Sequence, residues 1–312
     1  MKRNFLLMCC ILLGSGLAFA QDDDPYEGLT IEELAARSYG GGSLQIEDTM
    51  ATTANFTRYL VSYPSNEFTV YGFMNVPHGD GPFPVIIAIH GYVSPNAYGT
   101  LDYTTRYADD LANAGFLVLH PNLRGYAPSN GQNDPNHFRV GYAIDVLNLA
   151  ALVRSQGGLA GPLAAADSER IGLWGHSMGG GISLRVITVD PDIDAAVLYG
   201  SMSGNETLNA EAILDWSGGE SGRFELDTPP LDLLAISPIY HVDRIGAAVS
   251  IHHGALDATV PPAWSTDLCT ELQTLGKTVE CFSYEGQPHT FNGAGDRLFM
   301  DRAAAFFALH LN

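Results

Sequence analysis

Two rhythms of apolar residues divide the chain. From residue 55 the first reads as strands: Arg58 to Tyr63, then Phe68 to Val76, with the turn-like cluster Pro64-Ser65-Asn66-Glu67 between them. This is the pattern of an antiparallel hairpin. A different rhythm begins at Phe83, where Pro84-Val85-Ile86-Ile87-Ala88-Ile89 runs unbroken to His90-Gly91. Similar runs recur at Phe116 to Leu119, Arg170 to Trp174, Ala195 to Tyr199, Ala247 to Ile251 and Thr278 to Tyr284. Apolar runs without alternation mark strands buried on both faces, as in parallel sheets covered by helices. Helices are predicted between them at 101–114, 137–155, 178–189, 263–275 and 296–310, and Gly115 follows the first in C-cap position. The alternation specifies an α/β domain: a doubly wound, mostly parallel sheet with an antiparallel leading hairpin.

Two stretches depart from this rhythm. Residues 21–54 form an N-terminal segment that opens on Asp22-Asp23-Asp24, carries a short helical stretch through Ile31-Glu32-Glu33-Leu34, and ends it at Gly40-Gly41-Gly42. The main domain is therefore assigned to 55–312. Residues 201–240, with Asp215-Trp216, Gly218-Gly219 and Pro229-Pro230, interrupt the strands. An insertion there is either a small cap over a site or a long connection, and Trp216, Phe224 and several leucines, which need something to pack on, favour the cap.

The first twenty residues set the compartment. Lys2 and Arg3 form a basic n-region, Phe5 to Leu13 an apolar stretch, and Ala18-Phe19-Ala20 an A-x-A cleavage signal. A signal peptide 1–20 predicts a secreted or periplasmic protein. The apolar stretch is too short to span a bilayer, and no later run approaches the ~20 residues required. Cys9 and Cys10 lie inside the stretch without small residues before them, which argues against a lipidation site. The chain carries 35 acidic against 15 basic side chains, a formal charge of -20. Such a surface repels nucleic acid and anionic membrane, both of which are bound mainly through Lys and Arg.

The sharpest chemical signal is Gly175-His176-Ser177-Met178-Gly179, followed by Gly180 and Gly181. It matches G-x-S-x-G and falls after the strand Ile171 to Trp174 and before a helix, as the motif requires. A serine hydroxyl is a poor nucleophile unless it is lifted clear of the sheet and offered to a base. A tight strand-to-helix turn does this at the expense of backbone strain, so the flanking positions must be small. The same turn aims the backbone N–H of Met178, at a helix N-terminus, toward a developing oxyanion. A second oxyanion donor is expected after an earlier strand, and the backbone N–H of Tyr92 in His90-Gly91-Tyr92 is the candidate. Asp257 lies just past the strand end Ile251-His252-His253-Gly254, where α/β folds place their sites; Asp243 and Asp267 are rival acids that follow no strand in this way. His289 stands on the loop before the last helix. The chain order Ser177, Asp257, His289 is that of a Ser-Asp-His triad.

Cys269 and Cys281 remain once the leader is removed, and in an exported protein such a pair indicates a disulfide more often than a metal site. Cys269 sits about 9 Å back from its helix end and Cys281 about 10 Å along the following strand, so both reach a similar height. Two buried thiols are the alternative. Most of the ten histidines have ordinary readings: His176 is the variable elbow position, and His78, His120, His137, His241 and His310 lack partners at ligand spacing. Neighbours on a strand point to opposite faces, so His252 and His253 do not readily share one ion. No catalytic metal and no cofactor is expected.

Residues from about 60 to 310 resemble the catalytic domain of the prolyl oligopeptidase family and its relatives, the dienelactone-hydrolase-like esterases. The resemblance rests on His90-Gly91, Asn122-Leu123-Arg124-Gly125-Tyr126, Gly175 to Gly180, His253-Gly254-Ala255-Leu256-Asp257 with Val260-Pro261-Pro262, and His289-Thr290-Phe291. It implies the α/β-hydrolase fold, with Ser177, Asp257 and His289 as triad. Dienelactone hydrolases use a cysteine nucleophile where this chain has Ser177. Peptidases of the prolyl oligopeptidase family usually carry a large β-propeller, which the segment 21–54 is too short to build. Gly179-Gly180-Gly181 gives a looser similarity to polyester-degrading cutinases. The expected activity is hydrolysis of small carboxylic esters through an acyl-enzyme, with a serine peptidase of the same chemistry as the alternative. A binding protein on a disabled hydrolase fold is disfavoured, because all three triad positions are intact.

Overall fold

Val85, Ile87 and Ile89 turn to one face of a central sheet and Ile86 and Ala88 to the other, and all five are fully buried. An unbroken apolar run is what a strand with helices on both sides demands, since successive side chains alternate between faces. The structure is a computed structural model that describes residues 26–131 and 138–311. The expected signal peptide 1–20, the aspartates at 22–24 and His137 lie outside the described residues.

The described residues form a nine-stranded sheet of order β1-β2-β3-β5-β4-β6-β7-β8-β9. Strands β1 (Gln45–Thr52), β2 (Phe56–Ser65) and β3 (Phe68–Pro77) are antiparallel, and β3 joins β5 (Leu117–Pro121) in the same sense. From there β5, β4 (Phe83–Ile89), β6 (Ala166–His176), β7 (Ala195–Tyr199), β8 (Ala248–Gly254) and β9 (Val279–Tyr284) run parallel. Helices α1 (Ile31–Ala36), α3 (Phe138–Gln156), α4 (Met178–Val189) and α8 (Pro262–Thr274) cover one face. Helices α2 (Thr105–Asn113) and α9 (Gly293–His310) cover the other. Gly115, at φ 98°, takes the left-handed position after α2 that its place in the sequence predicts.

One strand departs from expectation. The sheet begins at β1, ahead of the expected start at residue 55. Seven of the eight residues of β1 are exposed and the other is intermediate, so this edge strand carries no buried face to produce an apolar pattern.

The 201–240 stretch holds three short helices, α5 (Glu206–Trp216), α6 (Arg223–Asp227) and α7 (Pro230–Ile236). One buried side chain of α4 anchors both its ends. The Arg185 guanidinium pairs with Glu206 at the start of α5 and donates to the Ile236 carbonyl at the end of α7. Ser237 Oγ completes the junction by accepting from the Glu206 backbone amide at 2.9 Å. Phe224 packs edge-on to Tyr26, whereas Trp216 stays 46% exposed.

Cys269 of α8 and Cys281 of β9 are joined by a disulfide across a separation of 12 residues. Thiol titration of the unfolded, unreduced protein is expected to find neither Cys269 nor Cys281 free, and Cys269→Ala should cost about 3 kcal/mol in a denaturation experiment. Glu206→Ala removes a buried carboxylate that pairs with the Arg185 guanidinium, so equilibrium denaturation should show a loss of about 3–5 kcal/mol.

Candidate active site

Ser177 forms the turn between β6 and α4 with φ 59° and ψ -119°. Side chains other than glycine rarely adopt such a backbone, and holding it costs on the order of 1–3 kcal/mol. The surrounding backbone fixes it: Ser177 N–H donates to Tyr199 O at 2.9 Å, and Ser177 O accepts from the amides of Gly180, Gly181 and Met202 at 3.0, 3.2 and 3.1 Å. Sterics dictate the glycines around the serine. A Cβ on Gly175 would stand 2.2 Å from Gly179 O, one on Gly179 would stand 2.2 Å from Ile89 O, and one on Gly180 would meet Ser201 at 2.6 Å. The start of α4 is thus pressed onto the ends of β4 and β6 and onto the residues following β7. Among the described residues the backbone amides of Met178 and Tyr92 have no hydrogen-bond acceptor. A Cβ on Gly91, the residue before Tyr92, would lie 3.1 Å from Ser177 Cβ, so the loop after β4 closes directly on the serine.

Asp257 follows β8, and its side chain has no solvent exposure. Oδ1 accepts from the amides of Thr259 and Val260, both at 2.8 Å, and Oδ2 accepts from His289 Nδ1 at 2.7 Å. Burial alone would raise this carboxyl, but hydrogen bonds from His253, His289 and the Val260 amide outweigh it and hold the group well below the carboxylate range. An ionised acceptor at Nδ1 places the His289 proton there and leaves Nε2 with a lone pair. The His289 side chain is 19% exposed, so the imidazole and the carboxylate it bonds differ in access to solvent. The rivals lie elsewhere: Asp243, whose carbonyl accepts from Lys277, and Asp267, on α8. Ser177 and His289 are not hydrogen-bonded to each other among the described residues; in unliganded enzymes this contact often closes only when substrate is bound.

Sequence reasoning passed over His176. Its ring is buried, stacked on Tyr199 with centroids 4.1 Å apart and tilted against His289 at 4.6 Å. Nε2 is 3.0 Å from the His289 carbonyl and Nδ1 is 2.6 Å from the Tyr103 hydroxyl. A carbonyl only accepts, so Nε2 carries the hydrogen and Nδ1 accepts from Tyr103. Burial first, and the neighbouring His289 second, push the His176 imidazole down to about 3. Nothing in the sequence but adjacency to Ser177 marks this residue, because its partners are 73 and 113 positions away. A cleft of about 520 Å³ opens beside it, walled by Leu101, Tyr103, Arg106, Tyr107, His176 and Thr290 among others.

The other histidines divide by face as strand geometry requires. His252 bonds Ser250 and Tyr284 and stacks on Phe282, and burial pushes it down to about 3. His253 turns the other way, 2.7 Å from Ser265 Oγ of α8 and 3.0 Å from Asp257 Oδ2. His90 is buried where the loops after β4 and β5 meet, with Nδ1 2.7 Å from the Gly91 carbonyl and Nε2 3.0 Å from the Asn122 carbonyl.

A mostly parallel sheet with a strained serine turn at the end of a central strand is the α/β-hydrolase architecture, and the class of enzyme defined here is a serine hydrolase. The model of the dienelactone hydrolase family matches residues 70–310, and the chain belongs to that family. Among similar solved structures is acetyl xylan esterase 1 from a Thermoanaerobacterium species, 19% identical with a TM-score of 0.66, the match covering 94% of each chain. A puromycin-hydrolyzing peptidase of Mycobacterium tuberculosis is 21% identical with a TM-score of 0.63. That match covers 86% of this chain and 39% of the peptidase. The acylaminoacyl peptidase of Pyrococcus horikoshii is 18% identical at 0.66, covering 88% of this chain and 51% of that one. The chain thus spans well under two thirds of either peptidase, and at these identities the likeness is one of fold.

Because the clash at Gly179 is with backbone, it cannot be relieved by a rotamer change. Gly179→Ala is expected to displace α4 from the end of β4 and lower kcat/KM at least about 100-fold. Steady-state kinetics with a Tm measurement checks this.

Proposed function

We propose that the protein is an exported esterase that cleaves small carboxylic esters with Ser177 as nucleophile, His289 as general base and Asp257 as orienting acid. The observation that carries the reading is the 2.7 Å bond from His289 Nδ1 to a fully buried Asp257, in a chain whose only G-x-S-x-G turn holds Ser177 in the strained conformation of an elbow. In this mechanism His289 Nε2 takes the Ser177 proton as Oγ attacks the ester carbonyl. Asp257 keeps the proton of the resulting imidazolium on Nδ1 and balances its charge. The amides of Met178 and Tyr92 receive the oxyanion, and His289 then protonates the leaving alcohol. Water repeats the sequence on the acyl-enzyme and releases the acid.

Ester rather than peptide hydrolysis is favoured by the likeness to acetyl xylan esterase 1, whose match covers 94% of each chain. Amide cleavage demands close alignment of an extended acyl part and protonation of a poor leaving group, while an ester needs an oxyanion site, a base and an acyl pocket. The leader 1–20 and the Cys269–Cys281 disulfide support export. A peptidase with the same three residues is the second reading, favoured by the fold shared with the acylaminoacyl peptidase.

Short-chain aryl esters are expected to show a kcat/KM far above that of matched amides or prolyl peptides on the mature chain. Ser177→Ala should lose both hydrolysis and fluorophosphonate labelling, with turnover falling by roughly 10⁵-fold or more. Retained turnover in Ser177→Ala removes the triad, and a better peptide than ester substrate moves the protein to the peptidase reading.

A further inference from the structure

Three of the loops assembled around Ser177 come from strands far apart in sequence, and one pair of side chains, the half-buried Tyr103 and the buried His176, touches all of them. Tyr103 lies just before α2, and its hydroxyl sits against the loop after β4: a Cβ on Gly91 would fall 2.1 Å from Tyr103 Oη. The same hydroxyl donates to His176 Nδ1 at 2.6 Å, and His176 precedes Ser177 in the elbow. The other ring nitrogen of His176 donates to the His289 carbonyl at 3.0 Å, and the two imidazole rings face each other at 4.6 Å. The backbone of His289 is thereby tied to the residue before Ser177, and the residue before Tyr92 is tied to the same ring through Tyr103.

We propose that Tyr103 and His176 form a strut that sets the spacing of the oxyanion loop, the nucleophile and the base, with His176 acting as a positioning residue for His289. The proposal rests on the triad reading of Ser177, His289 and Asp257. Its physical logic is one of polarity as much as packing. With Tyr103 O–H donating to Nδ1, the His176 ring is confined to the tautomer that carries hydrogen on Nε2, the only one able to bond the His289 carbonyl. Without that hydroxyl the buried ring is free to carry its hydrogen on Nδ1, and a lone pair on Nε2 would then face the carbonyl oxygen and repel it. The base would lose its backbone anchor, although neither Tyr103 nor His176 touches the reacting atoms. The proton stays in one place through the working pH range, because the buried ring is not protonated there. The glycine at 91 follows from the same arrangement, since any side chain would collide with the hydroxyl.

The test compares Tyr103→Phe, His176→Phe and His176→Gln with the parent, using a short-chain aryl ester well below each variant's Tm. Tyr103→Phe keeps the ring and deletes one hydroxyl. It is expected to lower kcat about tenfold with KM nearly unchanged, as a misplaced catalytic group does. His176→Phe, which keeps a stacked ring but neither hydrogen bond, should lower kcat about 100-fold. His176→Gln restores an N–H toward the His289 carbonyl and should recover a measurable part of that loss. The rate of fluorophosphonate labelling of Ser177 should fall in the same order. Parent-like kcat in Tyr103→Phe, or a change confined to Tm or KM, overturns the strut, as does a glutamine variant no better than phenylalanine. Should His176→Phe fail to fold, Tyr103→Phe decides alone. A Ser177→Ala protein that still hydrolyses the ester sinks the triad itself. A dead Ser177→Ala beside parent-like Tyr103→Phe sinks only the strut.

Discussion

The left-handed turn at Ser177 is the constraint on which the rest of the molecule depends. Its strain persists only because four backbone hydrogen bonds and the contact of α4 with the ends of β4 and β6 over-determine it. Those contacts require glycine at 175, 179 and 180, because in each case a Cβ would meet a neighbour at 2.6 Å or less. The helix so drawn in leaves the Met178 amide at its N-terminus without an acceptor among the described residues, and in the proposed mechanism the helix dipole there adds to the pull on a developing negative charge. The parallel sheet supplies the rest by bringing the ends of β4, β6, β8 and β9 to one edge. At that edge stand Ser177, Asp257 and His289, spread over more than a hundred residues and proposed here to act together.

Asp257 shows how the site keeps a charge in a place that disfavours one. A carboxylate with no exposure should resist ionisation, yet here each oxygen is met by donors: two amides on Oδ1, and on Oδ2 the His289 ring, with the His253 edge close by. The acid is thereby ionised while hidden, and the histidine it holds keeps its outer edge toward solvent. Oriented dipoles do the work that water would do at the surface.

Much of this was legible in the sequence. The fully buried parallel strands announced themselves as unbroken apolar runs, because a strand with two covered faces has no polar alternate. Ser177, Asp257 and His289 could be singled out as candidates because each follows a strand at a turn with its own local signature. The disulfide was legible from two residue counts, six back from a helix end and three into a strand. What escaped was set by contacts distant in sequence or by the absence of burial. Strand β1 shows no pattern because nothing covers it. His176, at the variable position of the motif, gains its significance only from Tyr103 and His289, which no periodicity links to it. The opposite faces of His252 and His253 followed from strand geometry, but their partners, Tyr284 and Ser265, did not.

The insertion between β7 and β8 leaves and rejoins the sheet at one guanidinium. Glu206 near its beginning and the Ile236 carbonyl near its end both meet Arg185, a side chain of the helix that begins next to Ser177. A segment whose two ends share one footing can change its length and its exposed surface, Trp216 and Leu231 included, without levering on that helix. In evolutionary terms the insertion is an interchangeable module plugged into a fixed socket, so selection could reshape its exposed surface while the socket on that helix stays unchanged.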